Sequence, residues 1–333
     1  MPQLPELVKA LLKSKAYTEI PEHIELAQTQ MSFVFLTDEY VYKVKKPVNL
    51  GYLDYSTLER RQFYCQREIE LNRRLCPQAY LGVVPISKKG DDIYLGDSGE
   101  IIEYAVKMRR LPQEFMMSVL LTNNQVSPEM LGRVAQKLAA FHGKAETNTV
   151  ISAFGELETV IQNTDENFTQ TEKYIGNTIS QEQYQHIKAY TENFIQQNAP
   201  LFNKRVEDGR IRDCHGDLHA DHICFTDSIC IYDCIEFNDR FRYADVASEV
   251  AFLAMDLDHY GRADLSNHFI TAYVAQSRDS EFKDLLNFYK CYRAYVRGKV
   301  GSFQLDDPHI SQEEKIKVLA NARSYFKLAE SYI

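Results

Sequence analysis

Apolar and polar residues recur along this chain with two different periods, and the change of period divides it. Up to about residue 108 the short period dominates. Ser32–Leu36 and Tyr40–Lys45 are runs rich in β-branched and aromatic residues, with Thr37-Asp38-Glu39 between them as a hairpin signal. Val83–Ser87, Asp92–Leu95 and Glu100–Met108 repeat the pattern, and Lys89-Gly90 and Gly96–Gly99 mark the turns. A helix interrupts these strands. Ser56-Thr57-Leu58-Glu59 predicts a capping box, with the Ser56 hydroxyl and the Glu59 carboxylate satisfying each other's backbone donors. That helix should run to about Leu75, where Cys76-Pro77 ends it. A shorter helix is predicted over residues 5–17. From residue 113 onward the helical period takes over, at 128–145, 181–197, 244–256, 263–277 and 281–301, broken by a strand hairpin over 211–235. The expected fold class is α+β: a five-stranded antiparallel sheet with one long helix, then a mostly helical remainder.

Composition narrows the setting. The 333 residues are 44% hydrophobic and 26% charged, enough to bury a core without disulfide staples. Lys and Arg number 38 against 47 Asp and Glu, a net charge of −9, which argues against a nucleic-acid binder. The same balance is compatible with a cationic substrate, although acidic surfaces serve solubility more often. No run approaches the roughly eighteen apolar residues of a membrane span. Seven cysteines, an odd number, and an N-terminus broken by Leu4-Pro5-Glu6 and Lys9 predict a reduced, cytoplasmic protein. Cys214, Cys224, Cys230 and Cys234 lack the C-x-x-C spacing of a zinc site and are expected to be small buried residues.

The chemistry concentrates in Cys214-His215-Gly216-Asp217-Leu218-His219-Ala220-Asp221-His222 and the apolar run Ile229–Tyr232 that ends on Asp233, sixteen residues beyond Asp217. A loop carboxylate followed by one at a strand end is what phosphoryl transfer from a metal-nucleotide requires. One receives the proton of the attacking hydroxyl, and the other holds the metal against the phosphates. Asp217 is the candidate base and Asp233 the candidate metal ligand. Mg²⁺ takes hard oxygen donors and needs only one or two protein carboxylates. The plainer alternative for Asp217 is a turn former, and the neighbouring His215-Gly216 and Asp233 weigh against it. His215 is expected to brace the loop. Glu236, three residues past Asp233, is either a supporting or second-metal group or an exposed loop acid.

With these residues in place the chain resembles the aminoglycoside phosphotransferase and choline-kinase-like group of small-molecule kinases. The resemblance is carried by Val41-Tyr42-Lys43-Val44-Lys45-Lys46-Pro47-Val48, Gly51-Tyr52-Leu53-Asp54, Glu70-Leu71-Asn72-Arg73-Arg74-Leu75, Met108-Arg109-Arg110-Leu111-Pro112, His215-Gly216-Asp217-Leu218-His219 and Asp233-Cys234-Ile235-Glu236-Phe237-Asn238-Asp239, in order over most of the chain. It implies a bilobal protein-kinase-like fold: an N-lobe over 1–108, a hinge over 109–112 and a C-lobe over 113–333 bearing the catalytic loop, metal site and acceptor site. Some relatives of this kind carry a further P-loop domain. No G-x-x-x-x-G-K-[ST] occurs in this sequence, so it is read as the kinase-like unit alone.

The resemblance also implies ATP and Mg²⁺ as cofactors and suggests who holds them. Lys43 is the preferred nucleotide lysine. Lys45 is the alternative, because two residues along a strand share a face. Its helix partner is Glu68, with Glu70 kept open. Ser32 lies where the phosphates would be covered, and the backbone from Met108 through Arg110 to Leu111 would read adenine. Asp245 is read as scaffold, His142 as a satisfied core histidine, and Asp256, Asp258 and His259 as candidate acceptor contacts or a solvated helix end. One position departs from the group. His222 stands five residues after Asp217, where an Asn metal ligand is usual. Imidazole suits softer metals than Mg²⁺, so Asp221 substitutes, one metal is lost, or preference moves toward Mn²⁺. The leading reading is ATP-dependent transfer of the γ-phosphate to a hydroxyl of a small molecule. The alternatives are a pseudokinase or nucleotide-binding regulatory module, and a kinase-fold enzyme that modifies proteins.

Overall fold

The computed structural model describes residues 4–307 and 310–333. They form two compact units, one of Met1–Met116 with His222–Asp239 and one of Met117–Asp221 with Arg240–Ile333. The expected hinge over 109–112 therefore lies inside the first unit, and the segment that carries Asp233 belongs with the sheet.

In the first unit α1 (Glu6–Leu11) precedes β1 (Glu25–Gln28), β2 (Ser32–Leu36) and β3 (Tyr40–Lys45); α2 (Leu58–Arg73) then leads to β4 (Tyr80–Lys89), β5 (Asp92–Leu95) and β6 (Glu100–Arg109). The sheet has six strands rather than the expected five, in the order β1-β2-β3-β6-β4-β5, and every neighbouring pair is antiparallel. The added strand, β1, is an edge strand with little buried surface. Strand alternation divides β3 between two layers. Tyr42 and Val44 pack with Phe35, Ile86 and α1's Val8 and Leu11, while Val41 packs with Met108, Val106 and α2's Cys65 and Ile69. Each large apolar side chain so buried stabilises the unit by about 1.5–3 kcal/mol.

The helix start differs from the expected capping box. Thr57, not Ser56, is the N-cap and accepts the Arg60 N–H, while Ser56 donates its hydroxyl to Asp54. The cysteine expectation also needs correction. Cys76, just past α2, is disulfide-bonded to Cys230, 154 residues away, with their Cα atoms 4.7 Å apart. No local spacing announces this pair, because only the folded unit brings the two segments together. Cys214, Cys224 and Cys234 are buried, as expected.

The helical region comprises α3 (Met117–Thr122), α4 (Pro128–Lys144), α5 (Thr149–Ser152), α6 (Leu157–Thr171), α7 (Gln181–Gln197) and α8 (Ala199–Glu207). After the strands β7 (Ile211–Asp213), β8 (Ile223–Phe225) and β9 (Ile229–Ile231) come α9 (Asp239–Arg242), β10 (Tyr243–Asp245), α10 (Val246–His259), α11 (Ala263–Ser277), α12 (Phe282–Gln304) and α13 (Gln312–Glu330). The predicted hairpin over 211–235 resolves into two ribbons: β8 pairs with β9, and β7 pairs with β10. Helix α10 is the centre of the second unit and is buried from Val246 through Leu257. Its Phe252 and Met255 pack with Phe168, Ile187, Tyr295 and Phe326. Gly298 lets α12 approach α13, since a Cβ there would come within 2.9 Å of the Phe326 ring. None of the described helices is long and apolar enough to cross a membrane.

Candidate active site

In the first unit the site grows from β3, α2 and the turn after β9. Lys43 and Lys45 share the face that looks toward α2, and both ion-pair with Glu68: Lys43 Nζ at 3.0 Å and Lys45 Nζ at 2.7 Å. Their other partners separate them. Lys43 Nζ donates to Asp233 Oδ1 at 2.7 Å, whereas Lys45 donates to Glu236 and, at 3.3 Å, to the Tyr55 hydroxyl. Tyr55 also donates to Glu236. The Lys45 side chain is 1% exposed and the Lys43 side chain 18%. Burial opposes the charge on Lys43, yet Asp233, Glu68 and Glu236 hold its pKa well above the ordinary lysine value. Burial likewise opposes ionisation of Glu236, and Lys45 and Lys43 overcome it and hold the carboxyl below its usual range. Glu236 is thus a buried partner of Lys45 rather than an exposed loop acid. Glu70 is exposed and faces Gln66.

Asp233 is placed by backbone geometry. Ile223 pairs with Ile231 across the β8–β9 ribbon, and the Tyr232 N–H donates to the His222 carbonyl. The residue before β8 and the second residue after β9 are thereby neighbours, with His222 Nε2 3.6 Å from Asp233 Oδ2. Asp233 has φ +61°, a left-handed conformation uncommon outside glycine and often found at functional turns. Its N–H donates to the Tyr80 hydroxyl, and the next N–H, of Cys234, donates to the Asn72 side chain. Asn72 in turn donates to the Glu68 carbonyl, one helical turn back on α2. Asp233 and His222 would offer a divalent cation one carboxylate oxygen and one imidazole nitrogen; the oxygen suits Mg²⁺ and the nitrogen suits Mn²⁺.

The remaining nucleotide candidates sit differently. Ser32 is 1% exposed, opposite Lys45 at the start of β2, so its hydroxyl has almost no surface to offer phosphate. Met108 is buried in β6. The Arg109 and Arg110 N–H groups donate to the carbonyls of Ala79 and Glu39, and the Arg110 guanidinium donates to the Thr37 carbonyl at 2.8 Å. Arg110 therefore braces the β2–β3 turn.

In the second unit Asp217 sits on a loop gripped by backbone bonds. Gly216 adopts φ +89°, which favours glycine. Glu249, fully buried on α10, accepts the N–H groups of His215 at 2.7 Å and Gly216 at 2.8 Å through one oxygen. Its other oxygen meets His142 Nε2 at 2.9 Å, and His142 Nδ1 meets the Tyr273 hydroxyl, so His142 is a satisfied core histidine. Burial opposes the Glu249 charge, but the His142 bond and the nearby His142, His215 and Gly216 groups bring its pKa down to about 2. Asp256 accepts the Ala220 N–H at 2.8 Å and the Tyr325 hydroxyl at 3.3 Å. Asp258 is held by Lys290 and Tyr332, and His259 stacks on Tyr325, so this helix end is not simply solvated. Asp245 caps α10 and grips Arg205.

Two residues given no role on sequence grounds lie here. His219 Nε2 is 3.5 Å from Asp217 Oδ2, and Arg297 Nη1 is 3.5 Å from His219 Nε2. Burial disfavours a charged His219, while Asp217 raises its pKa above the ordinary value. The available signal was Arg293 and Arg297, one turn apart on an otherwise apolar stretch of α12.

Comparison with known proteins places the fold. The chain is 35% identical over 278 residues to an uncharacterized protein of Mycobacterium tuberculosis strain H37Rv, and the same values hold for one of Mycobacterium bovis; the match covers 83% of this chain and 54% of each relative. The chain thus spans about half the length of the curated relatives it matches. No family model matches it. Among solved structures it is similar to an amicoumacin kinase in complex with AMP-PNP, Ca²⁺ and Ami (TM-score 0.55, 13% identity, 96% of this chain and 92% of that one). It is also similar to a choline/ethanolamine kinase family protein from Mesorhizobium loti (TM-score 0.53, 11% identity, 98% and 99%). The aminoglycoside phosphotransferase APH(2'')-Ib, ADP-bound, gives TM-score 0.50 at 16% identity over 98% and 99%. The chain has the fold of the aminoglycoside phosphotransferases and choline/ethanolamine kinase-like proteins.

Proposed function

We propose that this chain is an ATP-dependent phosphotransferase that moves the γ-phosphoryl group to a hydroxyl of a small molecule. The observation that carries the reading is Lys43, bridging Glu68 and Asp233 at 3.0 and 2.7 Å while keeping an open edge. A lysine fixed by a helix acid and a metal-binding acid is the arrangement kinases use on nucleotide phosphates. Solved relatives of the fold named as kinases support it, as does the ADP or AMP-PNP bound in two of them. Divalent metal supplies charge neutralisation on the phosphates when bound, and Asp233 with His222 would hold it. Lys43, already paired with Glu68 and Asp233, would offer its ammonium to the phosphates. On the other unit Asp217, steadied by Glu249 through two backbone N–H groups, accepts the acceptor's hydroxyl proton as transfer proceeds.

The test is an ADP-release screen against sugars, amino sugars, amino alcohols and nucleosides, run with Mg²⁺ and with Mn²⁺. Acceptor-dependent ADP release that Asp233→Ala abolishes is the expected result. ATP binding with no release from any acceptor would support the second reading, a nucleotide-binding regulatory module. That reading is favoured by one feature, the His222 imidazole beside Asp233.

A further inference from the structure

We infer that Arg297 binds the acceptor, and that the acceptor carries an anionic group, a carboxylate or a phosphate ester, close to the hydroxyl that receives the phosphoryl group. This rests on the phosphotransferase reading, because it takes Asp217 to mark where the acceptor hydroxyl sits.

Its support is how the second unit treats its arginines. The fully buried ones are matched to carboxylates: Arg205 to Asp245 and Asp279, Arg242 to Asp213. Arg293 and Arg297 are not. Among the described residues neither has a carboxylate within 4.0 Å of its guanidinium. Arg293 is nevertheless satisfied as a brace. It donates to Ser248 Oγ at 3.0 Å and to the Gly216 carbonyl at 3.4 Å, and lies 4.9 Å from the Phe252 ring centre. Arg297 has the 3.5 Å contact to His219 and, at Tyr325, a side-chain hydrogen bond and an approach to the ring at 5.4 Å. A guanidinium has five N–H donors. Most of those on Arg297 are uncommitted, although the side chain is only partly exposed.

Asp217 and Asp256 lie near enough to favour its charge, but Asp256 is already engaged by Ala220 and Tyr325. The walls around Arg297 are aromatic, with His259 stacked on Tyr325 and the His219 ring tilted against Phe252. A planar cation with spare donors, in partly apolar surroundings, two contacts from the base, is suited to a carboxylate or phosphate taken bidentately. The acidic balance of the whole chain is compatible with a cationic acceptor, and the local site argues the reverse.

Matched probes test this. Calorimetry with AMP-PNP·Mg²⁺ present would compare glycerol, glycerate and serinol, then glucitol, gluconate and glucamine, on wild type, Arg297→Gln and Arg297→Lys. Wild type should bind the anionic member of a set at least about ten-fold tighter than the other two. Arg297→Gln should erase that preference, and Arg297→Lys should keep part of it. Equal binding of the three members by wild type would overturn the proposal. So would an anion preference that Arg297→Gln leaves intact. Weaker AMP-PNP binding in Arg297→Gln with unchanged discrimination among probes would assign the guanidinium to the nucleotide's phosphates and also overturn it. ADP release from ATP with the same probes keeps the two readings apart. Arg297-dependent anion binding without ADP release would refute transfer and leave the anion site. Release from neutral or cationic probes without anion preference would do the opposite.

Discussion

The two acids at the centre of the proposed reading differ in what surrounds them. Backbone bonds to Tyr80 and Asn72 set the turn at Asp233, but its carboxylate enters a charge network: Lys43 ties it to Glu68, and a second lysine ties Glu68 to Glu236. Asp217 is held by backbone, on a loop whose N–H groups donate to the buried carboxylates of Glu249 and Asp256. A charge network can exchange partners, so under the proposed reading a phosphate at Lys43 would meet a cation already paired with anions. A backbone clamp does not exchange, and it fixes one position for a proton acceptor. Under the proposed reading, the first arrangement suits an acid that meets a metal-nucleotide and the second an acid that must keep its place.

The sharpest break is Asp217→Asn. The change is isosteric and leaves the clamp in place, so fold and nucleotide affinity should hold while transfer falls by about 10²–10⁴. Wild-type turnover of any acceptor would remove Asp217 from the base role.

The charge network is tested by two lysine variants. Lys45→Ala leaves Glu236 buried without its lysine and Glu68 with Lys43 alone, and should cost about 3–5 kcal/mol of stability. Lys43→Ala, at the open edge, should cost less stability but at least about ten-fold in ATP·Mg²⁺ affinity. Chemical denaturation and calorimetry on both variants read this, and reversed effects would exchange the roles of the two lysines.

The clamp makes a pH prediction. Glu249 has a folded pKa of about 2, below its ordinary value of 4.5. A carboxyl depressed on folding stabilises above the unfolded value, and that contribution is lost as pH falls through the folded one. Glu249 should therefore supply about 3 kcal/mol near neutrality and lose it between about pH 4.5 and 2. Glu249→Gln should unfold more easily at pH 7 and show a flatter stability profile over that window. Parallel profiles for the two proteins would contradict the assignment.

The smallest effect expected is at His222. His222→Asn should shift any Mn²⁺ preference toward Mg²⁺ by a few-fold, because the nitrogen donor is lost. An identical titration with the two metals for both proteins would leave His222 as a brace only.

Much of this was legible in the sequence where local rules decide. Strands β2, β3 and β5 and helices α4, α7 and α11 fall within a residue of their predicted limits, because period and caps are local signals. Strand β1 was not, since Glu25-Leu26-Ala27-Gln28 is a largely exposed edge of low β propensity. Helix α6 is obscured by its Thr, Asn and Gln content, whereas α13 carries a local start signal, the capping box of Ser311 and Glu314. Within the site, Asp217 and Asp233 stand in motifs and could be named. Lys43 and Lys45 could not be separated by a period of two, because what separates them is Asp233 and Glu236, nearly two hundred residues on. His219, Arg297 and the Cys76–Cys230 bond depend likewise on segments that meet only after folding.

The left-handed turn at Asp233 has a consequence for how this chain can change over generations. Glycine and asparagine accept that backbone conformation as readily as aspartate does, and β-branched and bulky residues do not. Selection for an abundant, well-folded chain would thus tolerate three residues at this position, while selection for phosphoryl transfer would tolerate one. A lineage released from the need for turnover has a short path out, through Asn or Gly, that the backbone conformation would not oppose. Position 233 is where the histories of active and silent members of this fold would first diverge.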